Sequence, residues 1–173
     1  MTWISETSKY RKLVEPYCQG SGVDLGSGGD PVVPWAFQVE LPHDAGGYMH
    51  VPVNPQFWGD ARNLHWLNDT SLDFVYSSGL IEDFAFEEWP NIFREWTRVI
   101  KPGGHLILLA PDRERWLKAL AAGQPPNDAH KHETEVGEMP RVLLLSVSPA
   151  WEIVLDKLPD PNDYMIVFVA RRA

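Results

Sequence analysis

The stretch that decides the fold is EWTRVIKPGGHLILLAPD, residues 95–112. Its first part completes a segment in which apolar residues recur every three or four positions, and this spacing predicts an amphipathic helix over 87–100. The sequence Lys101-Pro102-Gly103-Gly104 then predicts the end of that helix and a turn. His105–Ala110 follows with no polar alternation after its first residue, which is typical of a strand covered on both faces in a parallel sheet.

The segments on either side of this stretch alternate between strands and helices. Strands are predicted over 22–25, 36–41, 72–77, 105–110, 151–155 and 164–170, and helices over 6–18, 87–100, 112–122 and 134–147, the last interrupted at Pro140. Residues 42–59 are rich in proline and glycine and are predicted to form a long surface loop. This order predicts an α/β fold, a doubly wound Rossmann-like three-layer sandwich with a mostly parallel sheet. The link over 156–163 is too short for a crossover helix, so the last two strands should pair antiparallel at the C-terminal end.

The length and composition of the chain restrict its domain number and the partners that it can bind. The chain of 173 residues predicts a single domain over 1–173. Its net charge of −9 opposes broad contact with nucleic-acid phosphates. The first ten residues lack the apolar run of a signal peptide, and no apolar run approaches the length of a membrane helix. The single cysteine, Cys18, is expected to be a small buried group at a helix end, and a cytoplasmic location fits.

A glycine-rich loop, Gly26-Ser27-Gly28-Gly29, follows the first predicted strand. Glycines let a ligand approach the main chain, whose N–H groups then suit a negative group, although a tight turn without a ligand is the alternative. The dinucleotide pattern G-x-G-x-x-G fails because Pro31 stands at its third glycine, and the P-loop pattern fails because the loop has no lysine. Asp24, which precedes the glycines, is a candidate partner for an ammonium group.

Two further acids are candidates for contacts with a nucleoside. Glu40 ends the second predicted strand, so its carboxylate should lie beside the glycine loop and could accept hydrogen bonds from both hydroxyls of a ribose. Asp60 could bind an exocyclic amine while the next backbone N–H binds a ring nitrogen. A solvated loop acid is the alternative for Glu40, and a common turn residue is the alternative for Asp60.

Four blocks together resemble the class I S-adenosylmethionine-dependent methyltransferases. They are VDLGSGG, GDAR, LDFVYSSGLIEDF and EWTRVIKPGGHLILLAPD, they span roughly residues 20–112, and the last two are the most distinctive. The resemblance implies S-adenosylmethionine as the cofactor and a role for each of eight residues. Asp24, Gly26, Ser27 and Gly28 would surround its methionine part, Glu40 would bind the ribose, Asp60 and Ala61 would face the adenine, and the Ser77 carbonyl would meet the ammonium.

The chain departs from the family pattern at several places, the first being the glycine loop, which runs G-S-G-G rather than G-x-G-x-G. The helix that normally follows the glycine loop is replaced by a short proline-bearing link over 30–34. Many relatives carry histidine where Gly79 stands, so this chain either lacks a candidate base or has extra room for a substrate there.

The candidate catalytic residues lie in the loop after the fifth strand, at His130, His132 and Glu133. The two histidines alternate, so on an extended segment they would share a face and serve as a base or substrate contact. A metal site that adds Glu133 or Asp128 is a second interpretation, and a solvated charged loop is a third. The adjacent acids Glu82 and Asp83 are weaker candidates, because acids at a helix start usually favour its positive end.

The sequence therefore predicts a methyltransferase that acts on a small molecule, with O- or N-methylation favoured. A non-catalytic relative that binds the cofactor or a partner is the alternative, and a nicotinamide-dependent oxidoreductase is disfavoured by Pro31. Substrate contacts must come from loops 42–59 and 123–133 or from a second subunit, so a homo-oligomer is a candidate assembly. No nucleic-acid partner, membrane contact or metal is predicted.

Overall fold

The deciding stretch forms the end of helix α2, Trp89–Arg98, and all of strand β5, Ile100–Pro111, in the computed structural model, which describes residues 5–42, 53–147 and 151–173. Residues 106–110 of β5 are each at most 1% exposed. The strand pairs in parallel with one neighbour and antiparallel with the other. The predicted strand with two covered faces is therefore confirmed.

The remaining strands and helices follow the predicted alternation. They are α1 Glu6–Val14, β1 Gly22–Leu25, β2 Phe37–Glu40, β3 Phe57–Trp58, β4 Leu72–Ser78, α3 Arg113–Ala121, α4 Glu138–Ser146, β6 Trp151–Lys157 and β7 Met165–Arg172. Within the described ranges, three short 3₁₀ helices lie at Glu15–Tyr17, Ile81–Asp83 and Phe86–Glu88.

The sheet has seven strands in the order β3-β2-β1-β4-β5-β7-β6. Strands β1 to β5 are mutually parallel, and β7 runs antiparallel to both β5 and β6. The predicted fold class and the antiparallel C-terminal pair are both confirmed. The carboxyl ends of β1, β2, β4 and β5 consequently meet at one edge of the sheet, where ligands bind in folds of this kind.

Each face of the sheet carries its own apolar cluster. One face packs against α2 and α4, with Trp89, Trp96 and Leu143 fully buried. The other packs against α1 and the link between β1 and β2, where Val32 and Val33 are buried. This link contains no helix, as predicted, and its two valines cover the sheet in place of one. The three-layer arrangement follows from these two clusters.

Proline and glycine act differently from prediction at three places. Helix α1 ends at Val14 rather than at residue 18, and a 3₁₀ turn containing Pro16 follows. Residues 101–104 belong to β5 as an irregularity, because the register moves from Leu72–Ile100 to Phe74–His105. Pro140 does not interrupt a helix. It is the third residue of α4, where the backbone N–H has no partner within the helix and proline is tolerated.

The predicted loop over 42–59 contains a short strand in its described part, since Phe57–Trp58 pairs with the end of β2. Residues 43–52 of this loop lie outside the described residues. Cys18 is fully buried as expected, and burial raises the pKa of its thiol. No helix in the described ranges is long and apolar enough to cross a membrane.

Candidate active site

The glycine loop leaves β1 at the edge where the predicted site should lie. Leu25, the last residue of β1, is in register with Val39 of β2 and with Ser77 of β4. The loop therefore begins beside the ends of both neighbouring strands. Gly26 and Gly28 have φ values of +73° and +58°, which L side chains rarely adopt.

Glu40 and the glycine loop are in direct contact. Its carboxylate oxygen Oε1 accepts hydrogen bonds from the Gly28 N–H at 2.6 Å and the Ser27 hydroxyl at 3.0 Å. The Gly26 N–H donates to the Val39 carbonyl at 2.9 Å. The structure thus brings Glu40, Ser27 and Gly28 together as the sequence predicts, but the Gly28 N–H points to Glu40 rather than being free for a ligand.

Asp24 is fully buried beneath this loop. Its Oδ2 accepts a hydrogen bond from the Val32 N–H at 2.7 Å, and no described residue bonds its Oδ1. Burial, and after it the negative charges of Glu40 and Asp30, raise the pKa of Asp24 to about 8. In this position the carboxyl group holds the link between β1 and β2 against the sheet, a role that the sequence did not indicate.

The buried Asp24 leads to a pH-dependent prediction. The carboxyl group is protonated in the folded protein and ionised in the unfolded chain between about pH 4 and pH 8. Folding then takes up a proton, so this group makes the free energy of unfolding fall as pH rises, by up to about 1.4 kcal/mol per pH unit. Asp24→Asn removes the proton uptake and keeps an oxygen for Val32. We expect the stability of the variant relative to the wild type to increase from pH 5 to pH 8.

Urea denaturation at pH 5, 6, 7 and 8 measures this difference. Glu87→Gln, at an exposed position, is the control and should follow the wild type at every pH. Wild-type and Asp24→Asn stabilities that run parallel over the whole range would contradict the prediction.

Asp60 and Ala61 lie in the turn after β3, next to the end of β2. The Gly59 N–H donates to the Glu40 carbonyl at 2.8 Å, which places the turn at the same edge. Both carboxylate oxygens of Asp60 accept hydrogen bonds from Arg62, and these bonds lower the pKa of Asp60. The Ala61 carbonyl accepts a hydrogen bond from Trp96 Nε1 at 2.8 Å. The structure brings both residues to the predicted edge, with the Asp60 carboxylate already paired with Arg62.

Ser77 lies at the end of β4 and is 1% exposed. Its hydroxyl donates to the Leu25 carbonyl at 2.9 Å, which ties β4 to the start of the glycine loop. Gly79, two residues later, has a φ of +65°, and its N–H donates to the Leu109 carbonyl of β5 at 2.9 Å. A Cβ atom at this position would lie 3.8 Å from Glu82 Oε1, and no other atom of the described residues would lie within 4 Å.

A cavity of about 130 Å³ opens beside Gly79. Its lining residues come from α1, the ends of β4 and β5, α3 and its following loop, and the start of β7. They are Glu6, Gly79, Glu82, Pro111, Trp116, Gln124, Asn127, His130, Tyr164 and Met165. The loop after the fifth strand therefore contributes to this cavity.

His130 faces the cavity and His132 does not, so the prediction that they share a face is wrong. The chain bends at residues 131 and 132, and the alternation of an extended strand does not apply. His130 packs on Trp116 with ring centroids 5.2 Å apart, and its Nδ1 lies 3.4 Å from Glu133 Oε1. His132 stacks on Phe86 at 4.6 Å, and its Nε2 lies 2.8 Å from Glu138 Oε2.

Glu133 contacts His130 and does not line the cavity. Within the described residues, no group of three or more histidine, cysteine, aspartate or glutamate side chains is placed to hold a metal ion. The candidate catalytic group thus reduces to His130, with Glu133 as its neighbour.

Glu82 is the residue whose importance sequence reasoning underestimated. It is 1% exposed, lines the cavity, and its Oε1 lies 3.8 Å from His130 Nε2. Burial, and after it the charges of Asp83, Glu133 and Glu6, raise the pKa of Glu82 well above its usual range. Burial also raises the pKa of Asp83 to about 6. The available signal was the position of Glu82 shortly after the carboxyl end of β4, where ligands bind in such sheets.

Comparisons with known proteins agree with this architecture. Residues 49–108 match the family model described as a methyltransferase domain. No curated protein sequence matches the chain significantly.

Several solved structures share the fold across nearly the whole chain. An S-adenosylmethionine-dependent methyltransferase from Archaeoglobus fulgidus is 14% identical, with a TM-score of 0.70 and coverage of 96% of this chain and 92% of that one. One from Mesorhizobium loti is 19% identical, with a TM-score of 0.65 and coverage of 97% and 98%. One from Methanosarcina mazei is 16% identical, with a TM-score of 0.62 and coverage of 92% and 96%. At these identities the likeness concerns the fold.

Proposed function

Because residues 49–108 match a methyltransferase-domain model and the fold is shared with S-adenosylmethionine-dependent methyltransferases, we propose that this chain is a class I methyltransferase that methylates an oxygen or nitrogen atom of a small molecule. The observation that supports this acceptor class is the cavity beside Gly79, which at about 130 Å³ suits a small molecule. It lies at the carboxyl ends of β4 and β5, the edge that also carries the glycine loop. The net charge of −9 disfavours a nucleic-acid substrate.

The residues at this edge fit the cofactor. Glu40 presents a partly exposed carboxylate at the end of β2, which suits ribose hydroxyls. A Cβ atom at Gly28 would meet no atom of the described residues within 4 Å. We propose that Asp24 holds the loop in place, that Ser27, Gly28 and Ser77 hold the methionine part, and that Asp60 and Ala61 face the adenine. S-adenosylmethionine, when bound, supplies an activated methyl group.

The chain's own contribution is to position the acceptor and to move a proton. Holding two reactants in line lowers a barrier by about 7–11 kcal/mol. His130 is the candidate base, since it lines the cavity and a well-placed base adds roughly 10²–10⁴-fold. Glu133 beside Nδ1 favours the tautomer with its proton on Nδ1, which leaves Nε2 to accept a proton. Glu133 is therefore a positioning residue for His130.

Calorimetric titration tests the cofactor part of this proposal directly. We expect micromolar binding of S-adenosylmethionine and of S-adenosylhomocysteine, and no binding of NAD, because the glycine loop lacks the dinucleotide pattern. Release of S-adenosylhomocysteine with a panel of small alcohols, phenols and amines then tests transfer. Cofactor binding without transfer to any acceptor would favour a non-catalytic relative, and no binding by folded protein would contradict the proposal.

We propose one methyltransferase domain over residues 1–173 and a cytoplasmic location, in keeping with a single buried cysteine. The acceptor is the proposed partner, with no nucleic-acid or membrane partner. A homo-oligomer would complete the substrate contacts if the loops of one chain do not suffice.

A further inference from the structure

One carboxylate oxygen of the cavity lining has neither a hydrogen-bond partner nor an ion-pair partner among the described residues. It is Oε2 of Glu82, whose side chain is almost fully buried and lines the cavity. A buried polar atom without a partner costs free energy, of the order of 1–3 kcal/mol. A ligand that brings an N–H donor into the cavity would remove this cost.

The charges around Glu82 favour a positive ligand group over a negative one. Asp83, Glu133 and Glu6 are the acids whose charges act on it, and His130 lies at 3.8 Å. Of the nearby cations, Lys9 is already paired with Glu6 at 2.9 Å and with Asp163 at 3.1 Å, and the charge of Lys131 acts on Asp83. An acceptor with a carboxylate or phosphate group would therefore face repulsion here.

Two aromatic rings form an apolar wall of the same cavity. Trp116 and Tyr164 line it, with ring centroids 5.0 Å apart in an edge-to-face arrangement. The Tyr164 hydroxyl donates to Glu6 Oε1 at 2.9 Å, which fixes its ring. Aromatic faces attract cations and pack well against apolar skeletons. The cavity thus combines one acidic acceptor atom with an apolar wall.

We propose that the methyl acceptor is a primary or secondary amine on a small apolar skeleton, with its nitrogen bound to Glu82 and its skeleton against Trp116 and Tyr164. This inference rests on the proposed function and specifies its acceptor. Gly79 supports it, because the missing side chain leaves space next to Glu82 Oε1 at the end of β4.

The groups in the cavity account for each proton and electron pair that moves when the methyl group is transferred to an amine. As an ammonium ion enters, Glu82, whose neutral form the buried surroundings favour, first releases its proton to solvent through His130. The ammonium ion then gives one proton to the resulting carboxylate, and the amine lone pair becomes free. That lone pair forms the nitrogen–carbon bond, and the carbon–sulfur bond breaks with its electron pair left on sulfur. The positive charge passes from sulfur to nitrogen, and the product leaves as an ammonium ion. Glu82 is then neutral again, as it was before the amine entered, and one proton has been released to solvent in total.

Matched ligands and variants test the amine specificity. Benzylamine, 2-phenylethylamine and butylamine are titrated by calorimetry into protein saturated with S-adenosylhomocysteine, each beside the alcohol and the carboxylate of the same skeleton. We expect at least one amine to bind about 10-fold or more tightly than its alcohol, and the carboxylates to bind most weakly. Glu82→Gln should remove this preference while S-adenosylhomocysteine affinity changes less than about 2-fold. A tenfold change corresponds to about 1.4 kcal/mol.

The control is Glu87→Gln, an exposed acid nearby in sequence, which should keep the amine preference. If no amine binds more tightly than its alcohol, or if Glu82→Gln keeps the preference, the inference is wrong and the proposed methyl transfer stands. If S-adenosylhomocysteine does not bind, the proposed function is wrong. The amine titration of the free protein then shows whether the cavity prefers amines, but the assignment of an amine as the methyl acceptor is overturned with the proposed function.

Discussion

Gly26→Val is expected to weaken S-adenosylhomocysteine binding by at least about 30-fold. Gly26 has a φ of +73°, where a β-branched residue is strained by about 1–3 kcal/mol. Its new Cβ would also lie 3.2 Å from Leu80 Cδ2, a contact that forces one of them to move. Gly26 starts the loop that Glu40 holds. A change of its backbone angles or a movement away from Leu80 would therefore displace the loop. Each 1.4 kcal/mol of such a cost is a tenfold loss of affinity.

Gly103→Val is the matched control for this measurement. Gly103 has a φ of +82°, and its Cβ would meet nothing within 4 Å. It lies in the irregular start of β5, away from the edge that carries the glycine loop. We expect Gly103→Val to lower the free energy of unfolding in urea about as much as Gly26→Val does. Its dissociation constant for S-adenosylhomocysteine in calorimetry should equal that of the wild type. Equal affinities of wild type and Gly26→Val would show that this loop does not hold the cofactor.

Trp96→Ala is expected to lower the free energy of unfolding by about 3–5 kcal/mol. Trp96 is fully buried in α2 and belongs to the apolar cluster between that helix and the sheet. Removing its ring leaves a cavity that close-packed neighbours fill only in part. The loss also frees the Ala61 carbonyl, which Trp96 Nε1 holds at 2.8 Å. Urea denaturation at neutral pH measures the effect.

Two further variants show how much of the Trp96→Ala effect comes from lost packing. One removes the hydrogen bond and keeps an aromatic ring, and the other removes an exposed tryptophan. Trp96→Phe keeps most of the buried ring and removes only the bond to Ala61, so we expect a smaller loss of stability and weaker S-adenosylhomocysteine binding. Trp58→Ala, at a side chain that is 47% exposed, should change stability by only about 0.5 kcal/mol. A Trp96→Ala variant as stable as Trp58→Ala would contradict the assigned core position.

For the glycine loop, the sequence predicted which residues come together but not which of their atoms are in contact. Its contact with Glu40 was predictable, because parallel neighbouring strands bring their carboxyl ends to one edge. The atoms that meet were not predictable. Only the folded loop shows that Glu40 accepts the Gly28 N–H and that Asp24 binds Val32 rather than facing outward.

The two histidines show where a local pattern misleads. Alternation predicts a shared face only while the chain stays extended, and this segment bends. The bend itself depends on a distant contact, since the N–H groups of Lys131 and His132 both donate to the Glu82 carbonyl, at 2.8 and 3.1 Å. The same contact covers Glu82, whose burial no neighbouring residue in the sequence indicates.

The sequence by itself determined the helix and strand of residues 95–112 and the alternation of strands and helices, because apolar periodicity and the positions of glycine and proline act over a few residues. Tertiary structure decided which carboxyl groups are buried and what they bind. Asp24 and Glu82 are both ordinary acids in the sequence, and their raised pKa values arise from chain segments that pack over them from elsewhere. Burial and charge depend on distances between residues far apart along the chain, so only the folded protein shows them.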